Sequence, residues 1–177
     1  VYKKWLFDDI APVRVLTELF YNSGIDPLRY TSDVPIQYAK DSDKVDSIII
    51  PSNIKAIGLD AFKNSNLRQI VFSNSTECDS IDHRAFSGVF IKRIAIPESI
   101  KEIGIEAFQG CTELEEVSFP NTPGINLLAG TFRGCPKLTT IQYNGTAKEY
   151  YHSILGRNWT IGSSIEYIEC TDKTIVL

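Results

Sequence analysis

The chain has 177 residues, 43% of them hydrophobic and 23% charged, ordinary proportions for one folded domain, or one domain plus a small cap. A mild formal net charge of −4 argues against nonspecific nucleic-acid binding, which needs a basic footprint. No run approaches the ~18 apolar residues of a membrane helix, so membrane insertion of this stretch is not expected. There is no secretory leader, but the chain starts at Val1 and holds no methionine; it reads as a piece trimmed from a longer protein, in which a missing leader carries no information.

Residues 1–44 read as an N-terminal cap. Pro12 suits a first helical turn, and Val13, Leu16, Leu19 and Phe20 recur at helical spacing on one face. Gly24 fits the position just past a helix end, and Asp26-Pro27 and Val34-Pro35 mark extended or turning chain.

Residues 45–145 repeat one phrase. Val45-x-x-Ile48-x-Ile50 returns as Leu67-x-x-Ile70-x-Phe72, Ile91-x-x-Ile94-x-Ile96, Leu114-x-x-Val117-x-Phe119 and Leu138-x-x-Ile141-x-Tyr143, the L-x-x-L-x-L pattern of a leucine-rich repeat. Side chains alternate across a strand, so the last two anchors of each set point into a core and their neighbours point out. A unit of ~20–29 residues cannot bury an apolar face alone, so the copies must stack into a solenoid.

A second phrase, I-x-x-I-x-x-x-A-F, runs in phase with the first. Ile54, Ile57, Ala61 and Phe62 give one copy; Cys78, Ile81, Ala85 and Phe86 the next; Ile100, Ile103, Ala107 and Phe108 the third. Leu127, Thr131 and Phe132 give a degraded fourth, with Gly124 where the first isoleucine belongs. The apolar pair predicts a short second strand. The Ala-Phe step predicts a helical or 3₁₀ corner that drops each ring into a ladder of Phe62, Phe86, Phe108 and Phe132. Pro51, Pro97 and Pro120 end the first strands, since proline cannot donate to a ladder. Gly88, Gly110 and Gly134 close the corners where positive φ is expected. The stretches from Ser73 to Ser80 and from Pro120 to Leu127 read as polar loops.

Cys78, Cys111, Cys135 and Cys170 form no C-x-x-C pair, so zinc and redox motifs have no support. Cys111 and Cys135 share a repeat column with Ser65 and Val89, which predicts buried free thiols acting as small hydrophobes. Stacking also brings equivalent positions to about 5 Å, a span a disulfide can bridge, so a bond remains the alternative.

The string I-P-x-S-I-x-x-I-G-x-x-A-F-x-G-C-x-x-L-x-x-V-x-F-P, read from Ile96 to Pro120, resembles the BspA-like leucine-rich repeats of bacterial and protist surface proteins. The resemblance spans about residues 45–143. It implies a right-handed solenoid used for adhesion or recognition, at the cell surface or secreted, and brings no catalytic residues.

Residues 146–177 read as a C-terminal cap. Thr146-Ala147-Lys148-Glu149 matches a capping box opening a helix to about Ser153. Trp159 is expected against the last coil, Ile165 to Cys170 as a strand, Thr171-Asp172-Lys173 as a turn and Thr174 to Leu177 as a returning edge strand. The fold class is thus a leucine-rich-repeat solenoid of short parallel strands with helical corners and a cap at each end.

Catalytic constellations are missing from the sequence. His83 reads as a solvated corner and His152 as a helix face. Asp41, Asp43 and Asp46 lack the glycine and closing glutamate of a calcium loop, and turn and cap duty accounts for them. No catalytic residue, metal site or cofactor is assigned. Binding is expected on the outward strand face: a central column of Ile49, Val71, Ala95, Ser118 and Gln142, flanked by Ser47, Gln69, Arg93, Glu116 and Thr140. Ile49, Val71 and Ala95 together make an apolar strip of the kind that marks interaction sites. The reading is a noncatalytic interaction or adhesion module for a protein or glycan surface, with edge-to-edge self-association open to it wherever a strand edge lies uncovered. The alternative is a structural spacer or an intracellular assembly protein from a mobile element.

Overall fold

A computed structural model of the chain describes residues 46–52, 54–74 and 76–177. The expected N-terminal cap and the anchor Val45 lie outside the described residues. Along the chain each coil contributes a longer and a shorter strand: β1 (Ser47–Ile50) and β2 (Ala56–Ile57), β3 (Gln69–Phe72) and β4 (Ser80–Ile81), β5 (Arg93–Ala95) and β6 (Glu102–Ile103), β7 (Glu116–Phe119) and β8 (Ile125–Leu127). Then follow β9 (Thr140–Tyr143), helix α1 (Ala147–Ser153), β10 (Ile154–Leu155), β11 (Tyr167–Glu169) and β12 (Thr174–Val176). The longer strands stack in parallel on one face and the shorter ones on another, in the order β2-β4-β6-β8-β10.

The anchors sit where alternation puts them. Ile48, Ile50, Val117, Phe119 and Ile141 are each at most 1% exposed, and their backbones pair in register, Ile48 with Ile70, Ile94 with Val117 and Val117 with Ile141. On the shorter strands Ile57, Ile81, Ile103 and Leu127 form one fully buried row. The degraded fourth copy solves its missing isoleucine locally: Gly124 adopts φ +87°, strand β8 begins one residue early, and Ile125 is buried where its register partner in the coil before, Lys101, is exposed.

The phenylalanine ladder is present. Phe62, Phe86, Phe108 and Phe132 stack with centroids 5.4, 5.5 and 5.5 Å apart and planes within 15° of parallel, and none is more than 1% exposed. Rings of this size dominate core energetics. Trp159 ends the column, edge-on to Phe132 at 6.2 Å.

The corners carrying these rings refine the helical expectation. Bonds of the 3₁₀ type are made, Ala61 N–H to Gly58 O and Ser65 N–H to Phe62 O, both at 3.1 Å. A helix does not propagate because each corner has two residues of positive φ four positions apart: Asp60 and Asn64, Arg84 and Gly88, Glu106 and Gly110, Gly130 and Gly134, Asn158 and Gly162. Left-handed residues turn the chain sharply and point its N–H groups along the stack. Phe62 N–H donates to Ala85 O at 2.7 Å, Phe86 N–H to Ala107 O at 2.8 Å and Phe108 N–H to Thr131 O at 2.9 Å. The corner is therefore a third hydrogen-bonded wall. Charges reinforce it: the Arg84 guanidinium meets the Asp60 carboxylate at 2.8 Å and Arg133 meets Glu106 at 3.4 Å. Arg84 holds the Asp60 carboxyl below its ordinary range.

All four cysteines are free thiols. Cys111 Sγ donates to Phe86 O at 3.2 Å and Cys135 Sγ to Phe108 O at 3.1 Å. The adjacent Cys135 and burial raise Cys111, keeping it protonated, and burial pushes Cys78 up to about 12.

The C-terminal segment extends the stack. The capping box at Thr146 is complete: Thr146 N–H donates to Glu149 at 2.7 Å and Glu149 N–H returns to the Thr146 hydroxyl at 3.3 Å. Strand β10 pairs with β8, β11 pairs with β9, and the chain reverses so that β12 runs antiparallel to β11. Asp172 in that reversal accepts from Ala147 N–H at 2.7 Å, tying the last turn to α1.

Candidate interaction face

The outward side of the longer strands is where side chains are free of packing. Val71 is 40% exposed; Ala95 is also exposed, and Ile49, Ser118 and Gln142 are half-buried. Gln69, Arg93 and Glu116 are exposed, and Ser47 and Thr140 are half-buried. The Ser47 hydroxyl donates to Gln69 at 3.2 Å, and Gln142 donates to Glu169 on β11.

These columns do not lie on one sheet. Among the described residues β1 pairs only with β3; β5, β7, β9, β11 and β12 form a separate sheet. Between β3 and β5 the ladder stops, although behind it β4 and β6 remain paired and the corners remain bonded. Two local causes coincide. Ser73 and Asn144 each donate to the preceding coil, to Ile50 O at 2.9 Å and Phe119 O at 3.0 Å; the equivalent residue after β5 is Pro97, which has no N–H to give to Phe72 O. Proline alone does not suffice, since Pro120 leaves β5 and β7 joined through Ile96 N–H and Ser118 O at 2.9 Å. The loop after β3 is also longer, spanning nine positions from Phe72 to Ile81 against seven from Ile96 to Ile103. Its N–H groups at Ser73, Glu77 and Asp79 all donate to the first coil, drawing β3 toward β1.

The parting opens a cleft of about 740 Å³ whose walls include Val71, Phe72, Arg93, Ala95 and Pro97. A second hollow of about 510 Å³ shares Gln69 and Arg93 with it and adds Asp46, Arg68, Phe90 and Lys92. Ile70, Ile94 and Ile96 in the larger cleft are 3–6% exposed, against 0–1% for most anchors elsewhere, and Phe72 there is only half-buried. The Arg68 guanidinium lies 5.8 Å over the Phe90 ring.

Thus Gln69, Val71, Arg93 and Ala95 of the expected face line one groove, whereas Ile49, Ser118, Gln142 and Glu116 lie outside its walls. Sequence reasoning missed Arg68, Phe90 and Lys92. Proline at 97 and the longer loop were the signals that could have found the groove. Among the remaining candidates, His83 has a packing role: its Nδ1 accepts from Ile105 N–H at 3.1 Å. Glu113 pairs with Lys137 at 2.8 Å, and that lysine lowers its carboxyl. Asp41 and Asp43 lie outside the described residues. Among the described residues no group of three or more His, Cys, Asp or Glu is placed to hold a metal ion, and no helix is long and apolar enough to cross a membrane.

Coils of this period, with an Ala-Phe corner and a stacked ring column, match a known repeat profile, the BspA-type leucine-rich repeat region, in six copies over residues 36–169. The chain belongs to this BspA-type family. The BspA-type solenoid is similar in fold to the pneumococcal vaccine antigen PcpA, with a TM-score of 0.62 at 22% identity over 80% of this chain and 34% of the other. It is also similar to a leucine-rich cell surface protein of Faecalibacterium prausnitzii, with a TM-score of 0.55 at 29% identity over 62% of this chain and 29% of the other. The chain thus spans about a third of the length of these structures. Among curated proteins no relative matches the sequence.

Proposed function

We propose that this solenoid is a noncatalytic interaction module of a cell-surface or secreted protein, engaging a protein or glycan partner with the outward face of its longer strands. The observation that carries the reading is the contrast between the two sides of those strands. Inward positions are apolar throughout and buried at all but Phe72, while outward ones change chemistry from coil to coil, the pattern of a surface released from packing. Family membership and a neighbour described as a cell surface protein favour the location. Edge-to-edge self-association belongs to the same proposal: among the described residues β12 is the last strand of its sheet and its outer edge is unpaired, with Val176 73% exposed beside it.

The test is saturable binding of the labelled chain to host cells and to an array of extracellular-matrix proteins and glycans. Val71→Glu, Arg93→Glu and Ser118→Arg are each expected to weaken binding while leaving the circular dichroism unchanged. Binding that survives all three substitutions removes the face from consideration. A concentration-dependent dimer in sedimentation, lost on Val176→Lys, is expected for the edge contact.

A further inference from the structure

The hydrogen bonds of β12 alternate in direction. Lys173 O accepts from Cys170 N–H at 3.0 Å and Leu177 N–H donates to Glu166 O at 2.9 Å; Ile175 stands opposite Ile168, midway between them. In an antiparallel ladder every second residue exchanges its bonds with one neighbour, and the residues between turn theirs to the other side. Lys173, Ile175 and Leu177 thus face β11. Thr174 and Val176 direct their N–H and C=O groups outward, where no strand of the described residues meets them.

This edge lies in the most apolar surface of the protein. Among the described residues, six of the ten exposed large hydrophobic side chains belong to this end of the stack: Tyr151, Leu155, Ile161, Tyr167, Val176 and Leu177. A solenoid end that meets only water is polar on its outer face. Neither proline nor a charged residue stands within Thr174–Val176, as one commonly does at an exposed edge.

We propose that β12 pairs antiparallel with β12 of a second copy about a twofold axis, with Thr174 opposite the partner's Val176 and Ile175 opposite its own mate. The direction of the free groups fixes the register. Only Thr174 and Val176 point outward, so bonded pairs join these residues to each other and every side chain keeps its face. Centring the axis on Thr174 sets Val176 against Asp172, which lies in the reversal with its carboxylate held by Ala147 N–H. Centring it on Val176 carries Thr174 past the partner's strand. Centring it on Ile175 places every outward residue in a bonded pair. Three rows then cross the junction. Val176 lies between Tyr167 and the partner's Thr174, a β-branched pair. Ile175 meets its mate. Lys173 lies opposite the partner's Leu177, with the partner's Glu166 next in line, about 10 Å away along the backbone and within reach of a lysine. No row sets like charges side by side. One short strand thus serves as both halves of an isologous contact.

The twofold axis of an antiparallel pair stands perpendicular to the sheet, so the outward faces of both copies point the same way. Five strands from each copy, β5 to β12, join into one wall. The dimer offers its interaction face twice in one direction, and a surface crowded with partners is bound by avidity without any new contact. This pairing rests on the edge association proposed above and gives it a register and a consequence.

Sedimentation equilibrium and disulfide trapping test it. In a Cys170→Ser background under oxidised glutathione, Ile175→Cys should give a covalent dimer, since it faces its mate at about 4.5 Å. Thr174→Cys and Val176→Cys should link to each other when mixed but not to themselves, because like residues are diagonal at about 7–8 Å, too far for a disulfide. Val176→Pro removes only an outward N–H. It should keep the circular dichroism of the wild type and raise the dimer dissociation constant about tenfold or more. A wild type that stays monomeric, a Thr174→Cys chain that links to itself, or a dimer unchanged by Val176→Pro overturns the pairing. Binding to host cells by a chain that never dimerises also overturns it and leaves the interaction face standing. A dimer trapped in this register that binds no cell or matrix surface upholds the pairing and removes the face.

Discussion

The corner wall and the outward strand wall are built from the same coils, but only one of them is continuous. At the corner every described coil repeats the same pair of left-handed residues and hands its N–H groups to the next coil, with four rings stacked beneath. On the strand wall the ladder divides between β3 and β5. A coil fastened on two sides can part on the third without losing its place, because the corner bonds and the β4–β6 pairing still join the two coils. Packing duty and surface duty are thereby assigned to different walls.

The largest effect that would break this comparison is expected at the ring column. Phe108→Ala, which empties the middle of the ladder, should cost roughly 3–5 kcal/mol in urea unfolding, whereas Val71→Ala on the divided wall should stay within about 0.5 kcal/mol. Equal losses would show that the walls share the load. Next comes Gly104, where an added Cβ would meet the backbone of Asp82 and His83 at 2.5–2.6 Å. Gly104→Ala should destabilise by roughly 1–3 kcal/mol, the usual range for overpacking, and the same assay reads it. Hydrogen exchange sharpens the contrast without mutation: the amides of Arg93 and Ala95 should exchange through local opening well below the global unfolding free energy, while those of Phe86 and Phe108 require it. The smallest effect is the pH dependence at Asp60. Its carboxyl is depressed in the folded state by Arg84, so its contribution is present above the ordinary aspartate range and vanishes as pH falls through the depressed value. Melting temperatures of wild type and Asp60→Asn should therefore differ slightly at pH 7 and converge in acid.

How far the sequence spoke depended on whether a feature was periodic. Phe62, Phe86, Phe108 and Phe132 recur in phase, so their column could be read directly, as could the alternation of Ile48 and Ile50. The capping box at Thr146 and Glu149 was legible because four consecutive residues contain it. The corner geometry was not, because Asp60, Arg84 and Glu106 adopt positive φ without being glycine; cross-coil bonds hold them there, and propensity alone favours other conformations. The parting of β3 from β5 was hidden for a different reason. Pro97 and the longer loop each read as ordinary punctuation, and only their coincidence on one rung divides the sheet. The columns from Ile49 to Gln142 and from Ser47 to Thr140 do face away from the core, but Arg68 and Lys92 stand one residue before them and escaped a reading by column.

The alternating signs at Asp60, Arg84 and Glu106 have a consequence for how the chain assembles. Asp60 meets a cation in the coil that follows it, but would meet another anion, Glu106, were that coil skipped and the next one docked in its place. Near-identical modules are prone to such miscounting. Over these three coils the column works as a parity check, disfavouring the arrangement that leaves out the coil of Arg84.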